Sequence, residues 1–210
     1  MKTRVGIIDY GMGNLTSVRN ALLSLGVDVE VMESIKAIGN VSHVILPGVG
    51  AFGDGMANLS KRGWLESMDS EIRQKGVPIL GICLGLQLLA ERSFEHGCHK
   101  GLGWIAGEVV RFESADGLLR IPHVGWNDVH VVDRSRCYRE GIKEDPIVYF
   151  VHSYHLVPKD PSIVDGWCEY GNRFVASLAS DAVWAVQYHP EKSQKQGLQI
   201  LTNFLTYPFS

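Results

Sequence analysis

Val77-Pro78-Ile79-Leu80-Gly81-Ile82-Cys83-Leu84-Gly85-Leu86-Gln87-Leu88-Leu89 stands near the middle of a 210-residue chain. Val77 to Ile82 is a short apolar run of the kind that forms a strand covered on both faces. Leu84 to Arg92 reads as a helix beginning directly after Cys83. The junction, Gly81-Ile82-Cys83-Leu84-Gly85, is the thiol form of the G-x-S-x-G turn. There a nucleophile sits in strained backbone, and the residues two before and two after must be small so that strand and helix can pass. The helix N-terminus favours a thiolate, and the Leu84 amide can donate to an oxyanion. A buried core cysteine between packing glycines fits the same five residues, because free cysteine is among the most buried residue types.

Outward from this turn, the first half alternates strand and helix. Arg4–Asp9 reads as a buried strand. Leu15, Val18, Leu22 and Leu25 recur at helical spacing until Gly26. Val27–Met32 reads as a more exposed strand, and His43–Pro47 as a third, closed by its proline. Met56–Lys75 is mostly helical with a break at Gly63. This order implies a parallel sheet whose ligands belong at the carboxyl ends of the strands. From Gly107 the texture changes to short strand candidates at Glu108–Phe112, Asp128–Val132, Ile147–Val151, Gly166–Tyr170, Phe174–Ser180 and Val183–Tyr188. A helix over Lys195–Leu205 follows. The expected fold is α/β: a mixed, mainly parallel sheet with helices on both faces and a short antiparallel extension, with residues 1–210 forming one domain.

Composition narrows the function classes. Twenty Lys+Arg against 23 Asp+Glu give a net charge of −3, which speaks against nucleic-acid binding. The longest apolar stretch, Val77–Ala90, contains Pro78 and Gln87 and falls short of the about 20 residues a spanning helix needs. Asp9 ends the first apolar run too early for a signal peptide. Cys83, Cys98, Cys137 and Cys168 form no Cys-x-x-Cys pair and are expected as reduced thiols in a cytoplasmic chain. No cofactor and no metal is expected. His96-Gly97-Cys98-His99 has no second ligand pair downstream and reads as a surface loop. The run Arg134, Arg136, Arg139 reads as a solvated loop.

A base for Cys83 stands in Val186-Gln187-Tyr188-His189-Pro190-Glu191-Lys192-Ser193. Pro190 stops the preceding strand, leaving His189 and Glu191 two residues apart at its carboxyl end. A thiol nucleophile needs a histidine to take its proton and return it to the leaving group, and a carboxylate to orient that histidine. Alone, His189 is an ordinary hydrogen-bonded loop histidine. Cys83, His189 and Glu191 together make a catalytic set. Gly48-Val49-Gly50-Ala51-Phe52-Gly53 matches the dinucleotide fingerprint G-x-G-x-x-G, but on the third strand and behind Pro47. A glycine-rich strand whose bare amides line the pocket facing Cys83 explains the same residues without a cofactor.

These segments, with Ile8-Asp9-Tyr10-Gly11-Met12-Gly13-Asn14-Leu15, Pro122-His123-Val124-Gly125-Trp126-Asn127 and Tyr149-Phe150-Val151-His152-Ser153-Tyr154, resemble the class I glutamine amidotransferases with a Cys-His-Glu triad, of flavodoxin-like fold. Within that class the chain resembles the glutaminase subunits of imidazole glycerol phosphate synthase, from which Val124 departs where Met is expected. The resemblance implies Cys83 as nucleophile, His189 as base and acid, and Glu191 as orienter. It implies amides of Val49, Gly50 and Leu84 near the oxyanion, and Gly48, Gly50, Gln87, Ser153 and Tyr154 holding glutamine. It implies a heterodimer with a (β/α)8-barrel cyclase of histidine biosynthesis, docked through Asn14, Trp126 and Tyr149. Two alternatives stay open: a related subunit feeding a sugar amidotransferase of surface-polysaccharide synthesis, and a non-catalytic nucleotide-binding or docking module.

Overall fold

The computed structural model describes residues 3–114 and 119–209. The first half runs β1 (Arg4–Ile8), α1 (Leu15–Ser24), β2 (Asp28–Met32), β3 (His43–Leu46), α2 (Phe52–Lys61), α3 (Leu65–Met68), β4 (Ile79–Ile82) and α4 (Leu84–Leu88). Shorter strands follow: β5 (Ala90–Ser93), β6 (His99–Lys100), β7 (Ile105–Arg111), β8 (His123–Asp128) and β9 (His130–Val131). The chain then passes through β10 (Ile147–His152), β11 (Tyr154–Pro158), β12 (Val164–Tyr170), β13 (Asn172–Ser180), β14 (Val183–Val186) and α5 (Gln194–Thr206).

The central sheet has eight strands in the order β2-β1-β3-β4-β14-β13-β12-β9. From β2 to β14 every pairing is parallel, and from β14 to β9 every pairing is antiparallel. Successive side chains point to opposite faces. Ile7, Ile45, Leu80, Ile82, Trp184 and Val186 therefore pack with Val18 and Leu22 of α1 and Leu201 and Phe204 of α5. Ile8, Val44, Leu46, Ile79 and Ala185 pack on the other face with Phe52, Leu59, Met68 and Leu88 from α2 to α4. β4 is buried along its whole length, as its uninterrupted apolar sequence requires. The expected mixed α/β fold is the one observed.

Several boundaries differ from expectation. The helix after Cys83 ends at Leu88 instead of Arg92, because Ala90–Ser93 pair with β7 and β6 as a strand. The carbonyls of Leu89 and Ala90, which a continuing helix would use, accept instead from Trp104, Ile105 and Gly103. His99 is in β6, paired with Ser93, so the His96–His99 segment is partly a hairpin strand. Asp128–Val132 is not one strand: Asp128 closes β8, which pairs with β10, and His130–Val131 joins the central sheet. β8 and β10 form a two-stranded sheet, and a four-stranded sheet runs in the order β11-β7-β5-β6.

Candidate active site

Cys83 lies at the carboxyl end of β4 with φ 54° and ψ −106°, a left-handed φ that a non-glycine residue adopts only under constraint. The constraint is visible on both sides. Its N–H donates to Val186 O at 2.8 Å, the last rung between β4 and β14. A Cβ on Gly85 would stand 1.9 Å from Leu46 O, and one on Gly81 would stand 2.9 Å from the Gly85 backbone. The two glycines let α4 pass against β3 and β4, and that passage holds the turn.

β14 delivers His189 to the same place. The His189 N–H donates to Tyr149 O at 2.9 Å, and Pro190 opens a single helical turn that brings Glu191 back under the ring. His189 Nδ1 and Glu191 Oε1 lie 2.9 Å apart, their side chains 2% and 1% exposed. The other ring nitrogen, Nε2, has no partner of hydrogen-bonding geometry among the described residues and is left for Cys83. Burial pulls the proton affinity of this imidazole down. The Glu191 hydrogen bond and the charges of Cys83 and Glu191 outweigh it and push the pKa up to about 9.

A cavity of about 470 Å³ opens on Cys83, and Val49, Gly50, Leu84, Gln87, Ser153 and Tyr154 line it. Gly48 does not line it. It is buried beneath, where a Cβ would come 2.4 Å from Tyr10 Oη, so its role is close packing. The Leu84 N–H points at Gly48 O over 3.4 Å, a long bond that a charged oxygen would replace. Gln87 Nε2 donates to Tyr154 O at 2.9 Å and to Gln187 Oε1 at 3.1 Å, so this side chain builds the pocket wall. Sequence reading gave no pocket role to Glu95, Pro122, Val151, His152 and Lys192, which complete the lining. Val151, His152 and Lys192 adjoin residues it did single out, whereas Glu95 is brought there by the tertiary fold alone.

The dinucleotide reading of Gly48–Gly53 meets an obstacle at the head of α2. The Phe52 N–H, which would greet a phosphate, donates to Glu95 Oε2 at 2.6 Å. A carboxylate already holds the anion position and repels a second anion.

The remaining sequence candidates sit around the mouth. Trp126 and Tyr149 face each other across β8 and β10, ring centroids 5.9 Å apart, with Trp126 48% exposed. Val124 and Ile147 add exposed apolar surface to this ribbon, and Lys192 Nζ lies 5.8 Å over the Tyr149 ring. Asn14 is exposed at the same end of the sheet, where it caps α1 by accepting the Ser17 N–H at 3.1 Å.

Such a fold, with a cysteine elbow and a buried His–Glu pair, defines a triad amidotransferase, and the chain belongs to the glutamine amidotransferase class-I family, whose model matches residues 6–207. It is 48% identical to imidazole glycerol phosphate synthase subunit HisH of Aquifex aeolicus, over 96% of this chain and 95% of that one. It is 47% identical to subunit HisH of Desulfitobacterium hafniense, over 95% and 92% of the two chains. Among solved structures it resembles PurLQS from Thermotoga maritima, with a TM-score of 0.72 at 19% identity over 99% of each chain. It also resembles a structure described as glutamine amidotransferase, with a TM-score of 0.71 at 19% identity over 96% of each chain. These two likenesses bear on the fold alone.

Proposed function

We propose that this chain hydrolyses glutamine to glutamate and ammonia and serves as the ammonia-producing subunit of an imidazole glycerol phosphate synthase in histidine biosynthesis. The observation that carries the reading is the strained Cys83 beside the buried His189–Glu191 pair. In the reaction the Cys83 proton rests on His189, and the sulfur attacks as thiolate at the side-chain amide carbon of glutamine. The amides of Val49, Gly50 and Leu84 stabilise the oxyanion, and His189 returns its proton to the departing nitrogen as ammonia leaves. A glutamyl thioester remains on Cys83. Water, deprotonated by His189, adds to it and frees glutamate and the thiol. Glu191 holds the imidazole in one tautomer and supports its positive form. Gly50, Gln87, Ser153 and Tyr154 shape the glutamine site.

The triad draws on β4 and on the segment after β14, so residues 1–210 act as one domain. The partner we assign is a (β/α)8-barrel cyclase subunit docked on the ribbon of Trp126 and Tyr149 with Asn14 beside it, which places the ammonia source at the interface. Cytoplasmic location follows from this role; among the described residues no helix is long and apolar enough to cross a membrane. The test is Cys83→Ala in the two-subunit complex. Glutamate release falls to background while the variant still folds and binds its partner. Wild-type-like glutamate release by the variant overturns the assignment.

A further inference from the structure

Gln187 is wholly buried one residue past β14, a place where a primary amide must find partners. The orientation of that amide follows from its neighbours. Tyr154 O can only accept, so the Gln87 atom 2.9 Å from it is the nitrogen. That nitrogen also lies 3.1 Å from Gln187, which therefore presents its oxygen there. The Gln187 nitrogen is thereby turned the other way and meets Cys83 Sγ at 3.7 Å. Its backbone is fixed as well, the N–H donating to Ala176 O at 2.8 Å.

We propose that Gln187 is a further catalytic residue, whose side-chain N–H donates to the Cys83 sulfur and stabilises it as the thiolate. The proposal rests on Cys83 being the nucleophile. An N–H aimed at sulfur strengthens when the sulfur becomes an anion, so it favours the charged form. His189 supplies the positive charge on one side of the sulfur. Gln187 supplies a neutral dipole on another. The other titratable groups around Cys83 are Tyr10 beneath it and His152 beside it, with Glu95 and Lys192 at the pocket mouth. Tyr10 and His152 have their charged forms disfavoured by burial, which leaves His189 as the charged neighbour of the sulfur and the Gln187 dipole as its neutral one.

The experiment is the pH profile of Cys83 alkylation by chloroacetamide in the full chain, read peptide by peptide so that Cys98, Cys137 and Cys168 are scored separately. Gln187→Met removes the donor at similar volume, and Gln187→Glu keeps the shape but turns an oxygen to the sulfur. The expected midpoint rises by about one pH unit in Gln187→Met and further in Gln187→Glu. Folded variants with the wild-type midpoint overturn the proposal. A second measurement needs no variant at Gln187 to fold. In the wild-type chain the Gln187 side-chain amide resonance moves with the midpoint of Cys83 ionisation, and the movement is lost in Cys83→Ser. A resonance indifferent to Cys83 ionisation overturns the proposal equally. Alkylation requires no glutamine turnover. A shifted profile in a chain that hydrolyses no glutamine would therefore sink the glutaminase reading alone, and an unshifted profile in an active glutaminase would sink this one alone.

Discussion

At φ 54° the Cys83 backbone is strained, and the imidazole that serves it is buried beside a carboxylate. Burial alone would leave His189 neutral in the working range; Cys83 and Glu191 keep its proton until about pH 9. Glutamine hydrolysis is thus expected to hold up on the alkaline side and to fall as pH passes about 9. In Glu191→Gln that limb moves toward the ordinary histidine value, and kcat drops by roughly 10² to 10⁴ through loss of the orienting carboxylate. A pH–rate profile of the two proteins checks it. Other buried histidines behave oppositely. Burial lowers His152 to about 3 and His123 to about 4, and it lowers His155 as well. The unfolded chain binds protons at these positions near pH 6.5, so their contribution to stability is whole above that pH. It is lost as pH falls toward 4, by up to about 1.4 kcal/mol per pH unit for each histidine. Urea unfolding at pH 7 and pH 5 should show the loss, and a His123→Gln/His152→Gln double variant should flatten it. His189 and Glu191 were legible because they sit two apart in one motif. His152 and Gln187 carried no signal of their own, since what defines them is contact with distant parts of the chain: His123 for His152, Gln87 and Cys83 for Gln187.

Among the elements, the strand-to-helix turn at Cys83 depends most on two missing side chains. Gly85→Ala puts a Cβ onto Leu46 O, backbone that cannot step aside, and is expected to cost on the order of 3 kcal/mol or more in urea unfolding and to abolish activity. Gly26→Ala is the control. Unlike Gly85 it has a positive φ, but its Cβ meets open space, so its cost is about 1 kcal/mol and activity survives. β1, β3 and β4 could be read directly because a strand covered on both faces must be apolar throughout. β5 was hidden because Leu88-Leu89-Ala90 continues the apolar pattern of α4. What ends that helix is the return of residues 101–105, which claim its last carbonyls. β8 and β11 were hidden for another reason. They pair in small sheets, and in β8 the half-buried side carries Gly125 and Asn127 while Val124 and Trp126 are exposed, which inverts the usual apolar-in pattern.

For the whole molecule, the exposed ribbon of β8 and β10 is tied to His189. Tyr149 O accepts from His189 N–H, and Ser193 Oγ joins Tyr149 N–H to His189 O at 3.0 and 2.6 Å. Removing the Trp126 ring should weaken docking of the cyclase subunit by about 2 kcal/mol, near 30-fold in Kd, the scale of a central aromatic anchor. Calorimetric titration of Trp126→Ala with that subunit checks it; an unchanged Kd would remove Trp126 from the interface. Mixed sheet architecture was legible from the change of texture after Gly107, but not the place of β14, because nothing in Val183-Trp184-Ala185-Val186 says which neighbour it will choose. Its seat between β4 and β13 has a consequence for biosynthesis. As the chain leaves the ribosome, β4 emerges some hundred residues ahead of the strand that covers its open side. Until then an apolar edge, Ile79–Ile82, lies bare and invites pairing with other chains. His189 follows that strand, so Cys83 stands without its neighbour as well, and the newborn protein is a good client for chaperones until its last strand arrives.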